Sequence, residues 1–226
     1  MTRAVLLGRD QEVALVEGVL NNALNGEAGF VVVEGEAGIG KTTLLAELAH
    51  VANERGCMTL EGRASEFDVE LPFGLFTDAL DAYLDSLDPQ ALSRLAMDRL
   101  GALATVFPSL WALDKAVDYP ASATERFRVH HAVRDLLERL AARRPILLVL
   151  DDLHWADGAS LELIAYMLRH PPQAEVMVAM ALRPGHGDPN IFRTIGNIQR
   201  SGAVHNLELR PLPLESVELM VGRDAI

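Results

Sequence analysis

Residues 35–42 read Gly35-Glu36-Ala37-Gly38-Ile39-Gly40-Lys41-Thr42 and satisfy G-x-x-x-x-G-K-[ST], the phosphate-binding P-loop. The flanks suit the motif. Phe30-Val31-Val32-Val33 before it is a short apolar, β-branched run of the kind that forms a buried strand. Thr43 to Ala52 after it reads as a helix, with Leu45, Leu48, Ala49 and Ala52 on one stripe. Glycines between a strand and a helix let the backbone reach positive φ and turn N–H groups around an anion. The helix N-terminus adds roughly half a positive charge aimed at the same point. In this arrangement Lys41 reaches the β- and γ-phosphates, and the hydroxyl of Thr42 holds Mg²⁺. Gly35 to Thr43 is therefore the expected nucleotide cradle. Lysine occurs only twice in the chain, at Lys41 and Lys115, which makes an accidental match less credible.

Composition bounds the rest. The chain has 226 residues, is 50% hydrophobic and 23% charged, and has the balance of a globular protein. Its formal net charge of −12 argues against a grip on a nucleic-acid backbone by these residues. No apolar run approaches a membrane span and the N-terminus lacks a signal-peptide core, so no membrane association and a cytoplasmic location are expected. A lone Cys57 permits no internal disulfide, fits a reducing compartment, and is expected to be a small buried hydrophobe.

Strand and helix patterns alternate along the chain. Asp10 to Leu24 is a predicted helix with Val13, Val16, Leu20 and Leu24 on one side and Gly26 as a stop. Cys57 to Gly62 is a second strand with Arg63 near its end, and 64–121 is an irregular helical insertion broken at Pro72, Pro89 and Pro108. Thr124 to Arg143 is a long amphipathic helix with Phe127, Val133, Leu137 and Leu140 as its core stripe. Ile146 to Leu150 is the most strand-like run of all and delivers Asp151-Asp152 at its end. Asp157 caps a helix from Ala159 to Arg169, Val176 to Leu182 forms another strand ending at Arg183, and Asn190 to Gln199 is a short helix. A last strand spans Val204 to Leu209, and a helical segment begins at Pro211. The alternation predicts an α/β fold with a parallel sheet and ligand groups at the strands' C-terminal ends.

A hydrophobic strand ending in an acid completes the Mg²⁺ site of a P-loop enzyme. Asp151 is expected to hold the ion, through water, with Asp152 orienting or deprotonating the attacking water. The alternative for Asp152 is a helix-capping or solvated acid. The acidic strand lies far beyond Lys41, with Cys57 to Gly62 between them in sequence. Val176 to Leu182 can be the extra strand that the additional-strand P-loop class, which includes AAA+ ATPases, inserts in the sheet between the P-loop strand and the acidic one. This predicts five parallel strands in the order 5-1-4-3-2, with Arg183 pointing between Lys41 and Asp151 as a γ-phosphate sensor. A surface arginine before a turn is the plainer alternative. Trp155 is expected under the following helix, and His154 as a loop histidine or a sensor of nucleotide state. His130-His131 offer no metal site without further ligands, and Arg126 and Arg128 read as a solvated helix face more readily than as arginine fingers.

Leu7-Gly8-Arg9-Asp10, the P-loop, Leu148 to Asp157 with His154-Trp155, Leu182-Arg183-Pro184 and Leu209 to Leu212 form a series with a family resemblance. Together they resemble the N-terminal ATPase domain of large ATP-binding regulators of the LuxR family, in the STAND branch of AAA+-like ATPases. The resemblance spans nearly the whole chain. It implies that Gly8 and Arg9 lie near the adenine, that Arg183 is the sensor arginine, and that ATP or ADP with Mg²⁺ is the ligand. It further implies an ATP-gated transcription activator with inducer-sensing repeats and a C-terminal helix-turn-helix, often controlling secondary-metabolite genes. Neither of those parts is recognisable here. The expected division is a P-loop ATPase domain over 1–209 and the start of a helical lid over 210–226, with DNA bound only through a domain absent from this chain. Asp152 stands where many AAA+ enzymes carry glutamate, which argues for slow turnover.

Two function classes remain open at this level. One is a nucleotide switch in which ATP against ADP sets self-association and slow hydrolysis is a timer. The other is a turnover ATPase, or the ATPase module of another STAND protein with a cyclase or kinase effector.

Overall fold

The computed structural model describes residues 8–67, 71–96, 99–113, 122–185, 196 and 204–212. Strand β1, Gly29–Glu34, is an inner strand whose side chains alternate between two buried faces. Phe30 and Val32 point into one core, and Val31 and Val33 into the other. A strand covered on both sides reads as a continuous apolar run, which is how this one reads. The same holds for β3, Ile146–Asp151, and β4, Val176–Leu182, both buried throughout.

With β2, Met58–Arg63, and β5, His205–Glu208, these strands form one sheet in the order β2-β3-β4-β1-β5. Every pairing is parallel. This is the expected order, and β4 does lie between β1 and β3. Helices α1, Asp10–Leu24, and α2, Lys41–Glu54, cover one face through Val16, Leu20, Leu44 and Leu48. Cys57 is buried in that core.

The opposite face carries the insertion between β2 and β3. Its described parts are α3, Gly74–Asp85, α4, Pro89–Ala96, α5, Leu100–Ala104, and a 3-10 turn at Pro108–Leu110. Helices α6, Ala123–Ala141, and α7, Gly158–Arg169, complete the layer. Ser122 and Glu125 close a capping box at the start of α6, each side chain bonding the other's backbone N–H. The buried stripe of α6 is Val129, Val133, Leu136, Leu137 and Leu140, while Phe127, expected in it, is 54% exposed. Phe127 lies outside the face that meets the sheet and instead meets Tyr166 edge-on, with ring centroids 5.6 Å apart.

Two contacts tie this layer to the strand ends. Gly62 in β2 lets α3 approach closely, because a Cβ there would stand 2.3 Å from the Leu75 carbonyl oxygen. Asp157 caps α7 through the Ser160 N–H and also accepts the N–H of buried Phe73, at 2.9 Å each. That second bond holds Phe73 at φ 61, a left-handed conformation rare for an aromatic residue. The helices expected over 190–199 and beyond 211, and with them most of the expected lid, lie outside the described residues, apart from Gly196, which is helical.

Candidate functional site

The P-loop joins the C-terminal end of β1 to the N-terminus of α2, and two glycines shape it. Gly38 and Gly40 take φ of 73° and 104°, which a side chain would oppose. Gly40 is the N-cap of α2 and supplies no capping side chain, and the first turn contains no acid. The first N–H groups of the helix are thus left for an anion. Lys41 is 8% exposed, and its Nζ donates to the carbonyls of Gly35 and Glu36 at 2.8 and 2.9 Å. The ammonium therefore lies folded over the loop, on neutral acceptors.

Thr42 and Asp151 are 109 residues apart, yet the Thr42 hydroxyl donates to Asp151 Oδ2 at 2.8 Å. They meet because β3 delivers Asp151 beside the start of α2. The other Asp151 oxygen accepts the backbone N–H of Asp152 at 2.8 Å, so both oxygens of this 6%-exposed carboxylate are engaged. Asp152 itself sits at φ 55, ψ 41. Aspartate tolerates this region better than most residues, and local strain of this kind clusters at functional sites.

Arg63 is the residue that sequence reasoning passed over. It closes β2 directly opposite Asp151 in the sheet register. From there its Nε and Nη2 donate to Asp152 Oδ2 at 2.8 and 2.7 Å. Asp152 holds the guanidinium above its ordinary range, first through the hydrogen bond and then through charge. The only advance signal was an arginine at the end of a strand. Its partner lies 89 residues away, and nothing local names it.

Arg183 leaves the end of β4, between β3 and β1, with its Nε 3.4 Å from Glu36 Oε2 in the P-loop. His154 follows Asp152 in a short 3-10 turn, with Nδ1 4.0 Å from Asp152 Oδ1. Trp155 is 37% exposed and its ring meets His154 at 5.2 Å, so it does not pack under α7 as expected. Arg126 pairs with Glu162 at 3.3 Å on the helix surface.

A cleft of about 330 Å³ lies between the P-loop and the neighbouring strand ends. One wall is the P-loop with the first turn of α2, through Ala37, Gly38, Gly40, Lys41, Thr42 and Thr43. The other is Arg63, Asp152, His154 and Arg183. Gly8 and Arg9 do not line it. Arg9 is 5% exposed and donates to the Ile39 carbonyl at 3.2 Å and to Glu12 at 2.8 Å. Among the described residues no cluster of three or more metal-ligating side chains exists. One hydroxyl and one carboxylate of hard oxygen suit Mg²⁺, which keeps waters and takes much of its shell from substrate phosphates. Thr42 and Asp151 fit that role.

The AAA ATPase domain family matches residues 5–179 of this chain. The chain belongs to the AAA ATPase domain family. As an AAA domain it is a nucleotide-binding module, and the family generally binds ATP with Mg²⁺. Over 236 aligned residues it is 26% identical to an uncharacterized protein of Rhizobium meliloti (strain 1021), an alignment that takes in 96% of this chain and 21% of the relative. Among solved structures it is similar to Cdc6p from Pyrobaculum aerophilum, with TM-score 0.55 and 14% identity over 99% of this chain and 51% of that one. It is equally similar to the Aeropyrum pernix Orc1 protein, solved in complex with DNA, with TM-score 0.55 and 16% identity over 98% of this chain and 50% of that one. At such identities the likeness is one of fold. The chain spans about a fifth of the curated relative and half of each of these two solved chains. No described helix of the AAA domain is long and apolar enough to cross a membrane.

Proposed function

We propose that this chain is the ATP-binding, slowly hydrolysing switch domain of a LuxR-family transcriptional activator. The observation that carries the slow-switch reading is the pairing of Asp152 with Arg63. Asp152 is the group suited to take a proton from the attacking water, and one of its oxygens already accepts two N–H bonds from Arg63. A carboxylate oxygen already engaged in this way is not free to accept from water, and its release becomes a step that a conformational change can control.

In this reading the N–H groups of residues 35–43 wrap the phosphates, and Lys41 exchanges the carbonyls of Gly35 and Glu36 for β- and γ-phosphate oxygens. Thr42 and Asp151 would hold Mg²⁺, which when bound would neutralise charge developing on the phosphates. Asp152 turns from Arg63 to the water, and Arg183 turns from Glu36 toward the γ-phosphate. Lys41 and Arg183 would thus exchange the partners they have in this structure for phosphate oxygens in the ATP-bound state. ATP against ADP would then set self-association of the domain in a reducing, cytoplasmic setting.

The LuxR-family role rests on the sequence series at 7–10, 35–42, 148–157, 182–184 and 209–212. DNA binding is assigned to a domain outside this chain, consistent with the net charge of −12. The test is calorimetry with ATP and ADP, followed by single-turnover and steady-state hydrolysis. Tight-enough binding with slow turnover, and binding lost in Lys41→Ala, is the expected result. Unchanged affinity in Lys41→Ala would overturn the P-loop assignment, and fast multiple turnover would favour a working ATPase over a switch.

A further inference from the structure

We infer that Arg9 is a positioning residue that presets the phosphate cradle from behind, acting through the Ile39–Gly40 peptide. The inference rests on the nucleotide-site reading above and assigns Arg9 a task other than contact with the base. Arg9 precedes α1, where its own carbonyl accepts the N–H of Val13 at 2.9 Å. Its side chain is only 6% exposed, and Nη1 is neutralised by Glu12 at 2.8 Å. A buried guanidinium is costly to desolvate, and its remaining donors must be used. Nη2 donates to the Ile39 carbonyl at 3.2 Å, thirty residues along the chain.

The side of approach gives this bond its meaning. Gly40 lines the cleft, whereas Arg9 and Ile39 do not. The Ile39 side chain packs toward the core formed by α1, α2 and the sheet. Arg9 therefore holds the Ile39 carbonyl on the far side of the loop. All described peptides are trans, and in a planar trans peptide C=O and the following N–H point in opposite directions. Fixing the Ile39 oxygen outward aims the Gly40 N–H into the cleft. Gly40, at φ 104°, has no Cβ to restrain that peptide. A flip would put a carbonyl oxygen where phosphate needs a donor. The Arg9 bond opposes the flip, so the donor is oriented before the ligand arrives.

Base contact and loop positioning differ in what they do to a ligand without a base. Magnesium with ATP, and magnesium with inorganic tripolyphosphate, are titrated calorimetrically into the wild-type chain, Arg9→Met and Arg9→Lys, with melting curves for each. Arg9→Met is expected to weaken both ligands by the same factor, about tenfold. Arg9→Lys, which keeps the charge but has a single head for two acceptors, is expected to weaken both equally and by less. If Arg9→Met does not fold, Glu12→Gln serves in its place: it loosens the guanidinium's anchor and is expected to weaken both ligands equally. Loss of ATP affinity with tripolyphosphate unchanged would assign Arg9 to the base and overturn the inference. Variants that match a wild type binding both ligands overturn it alone. A wild type that binds neither overturns the nucleotide-site reading and the inference with it.

Discussion

Arg63 and Asp152 meet in the wall of the cleft, with two guanidinium nitrogens 2.8 and 2.7 Å from one carboxylate oxygen. Their side chains are 66% and 21% exposed, so the pair contributes at most about 1 kcal/mol to stability. In the proposed reading its consequence is for reactivity. Arg63→Gln should leave ATP affinity and Tm nearly unchanged while raising the basal hydrolysis rate several-fold. A lower rate in that variant would mean that Arg63 helps the reaction instead of restraining it.

In the proposed reading Asp151 and Asp152 have separate tasks, one on the metal and one on the water, and their variants should separate accordingly. Asp152→Asn should retain nucleotide binding and lose most hydrolysis, about 10² to 10³-fold. Asp151→Asn should instead shift the Mg²⁺ concentration needed for ATP binding, since Asp151 pairs with the Thr42 hydroxyl. Parental hydrolysis rates in both, measured across a Mg²⁺ series, would show that the acidic strand end is not the catalytic edge.

Gly62→Ala tests the packing that brings Arg63 to the site. The added methyl would stand 2.3 Å from the Leu75 carbonyl and 2.9 Å from Ala79 Cβ, backbone and side chain of α3 that have little room to move. Overpacking of this kind costs about 1–3 kcal/mol, seen as a Tm lower by several degrees. ATP affinity should fall far less, because the P-loop lies on β1, three strands away. An unchanged melting curve would mean that α3 shifts freely on the sheet.

His130 sets a dependence of stability on pH. Burial, then the charges of Arg126 and Arg169, push its imidazole from 6.5 down to about 4. Its ring lies among Phe73, at 6.2 Å, and Tyr166, at 5.6 Å. Because the folded value is the lower one, the unfolded chain takes up the proton first as pH falls. The contribution is full above pH 6.5 and is lost progressively toward pH 4, to a maximum of about 3 kcal/mol. Denaturant unfolding between pH 8 and pH 4 should show this slope, and His130→Phe should flatten it. An identical slope in the variant would place the acid sensitivity elsewhere.

Much of the architecture is legible in local patterns. The apolar runs at 30–33, 146–150 and 176–182 are central strands because both of their faces are covered, and the glycines of 35–42 can only serve a tight strand-to-helix turn. The order of strands is expected from Val176 to Leu182 serving as the strand inserted between the P-loop strand and the acidic one, and the sheet has that order. Stripe assignments were less secure where a helix is only partly covered. Phe127 has the right period for the core, yet it sits on the margin of α6 beside Tyr166.

By itself the sequence determined the chemistry that is local: a phosphate loop, an acid pair at a strand end, and an arginine closing β4. These are written in runs of ten residues or fewer, where periodicity and turn chemistry act directly. Only the tertiary structure decided which distant groups share a bond. Arg63 meets Asp152 because β2 and β3 pair with Arg63 opposite Asp151, and Arg9 meets the Ile39 carbonyl because α1 packs against the P-loop face of the sheet. Such meetings depend on strand register and helix packing, which are set by summed burial over both cores and leave no mark on either partner's neighbours in sequence.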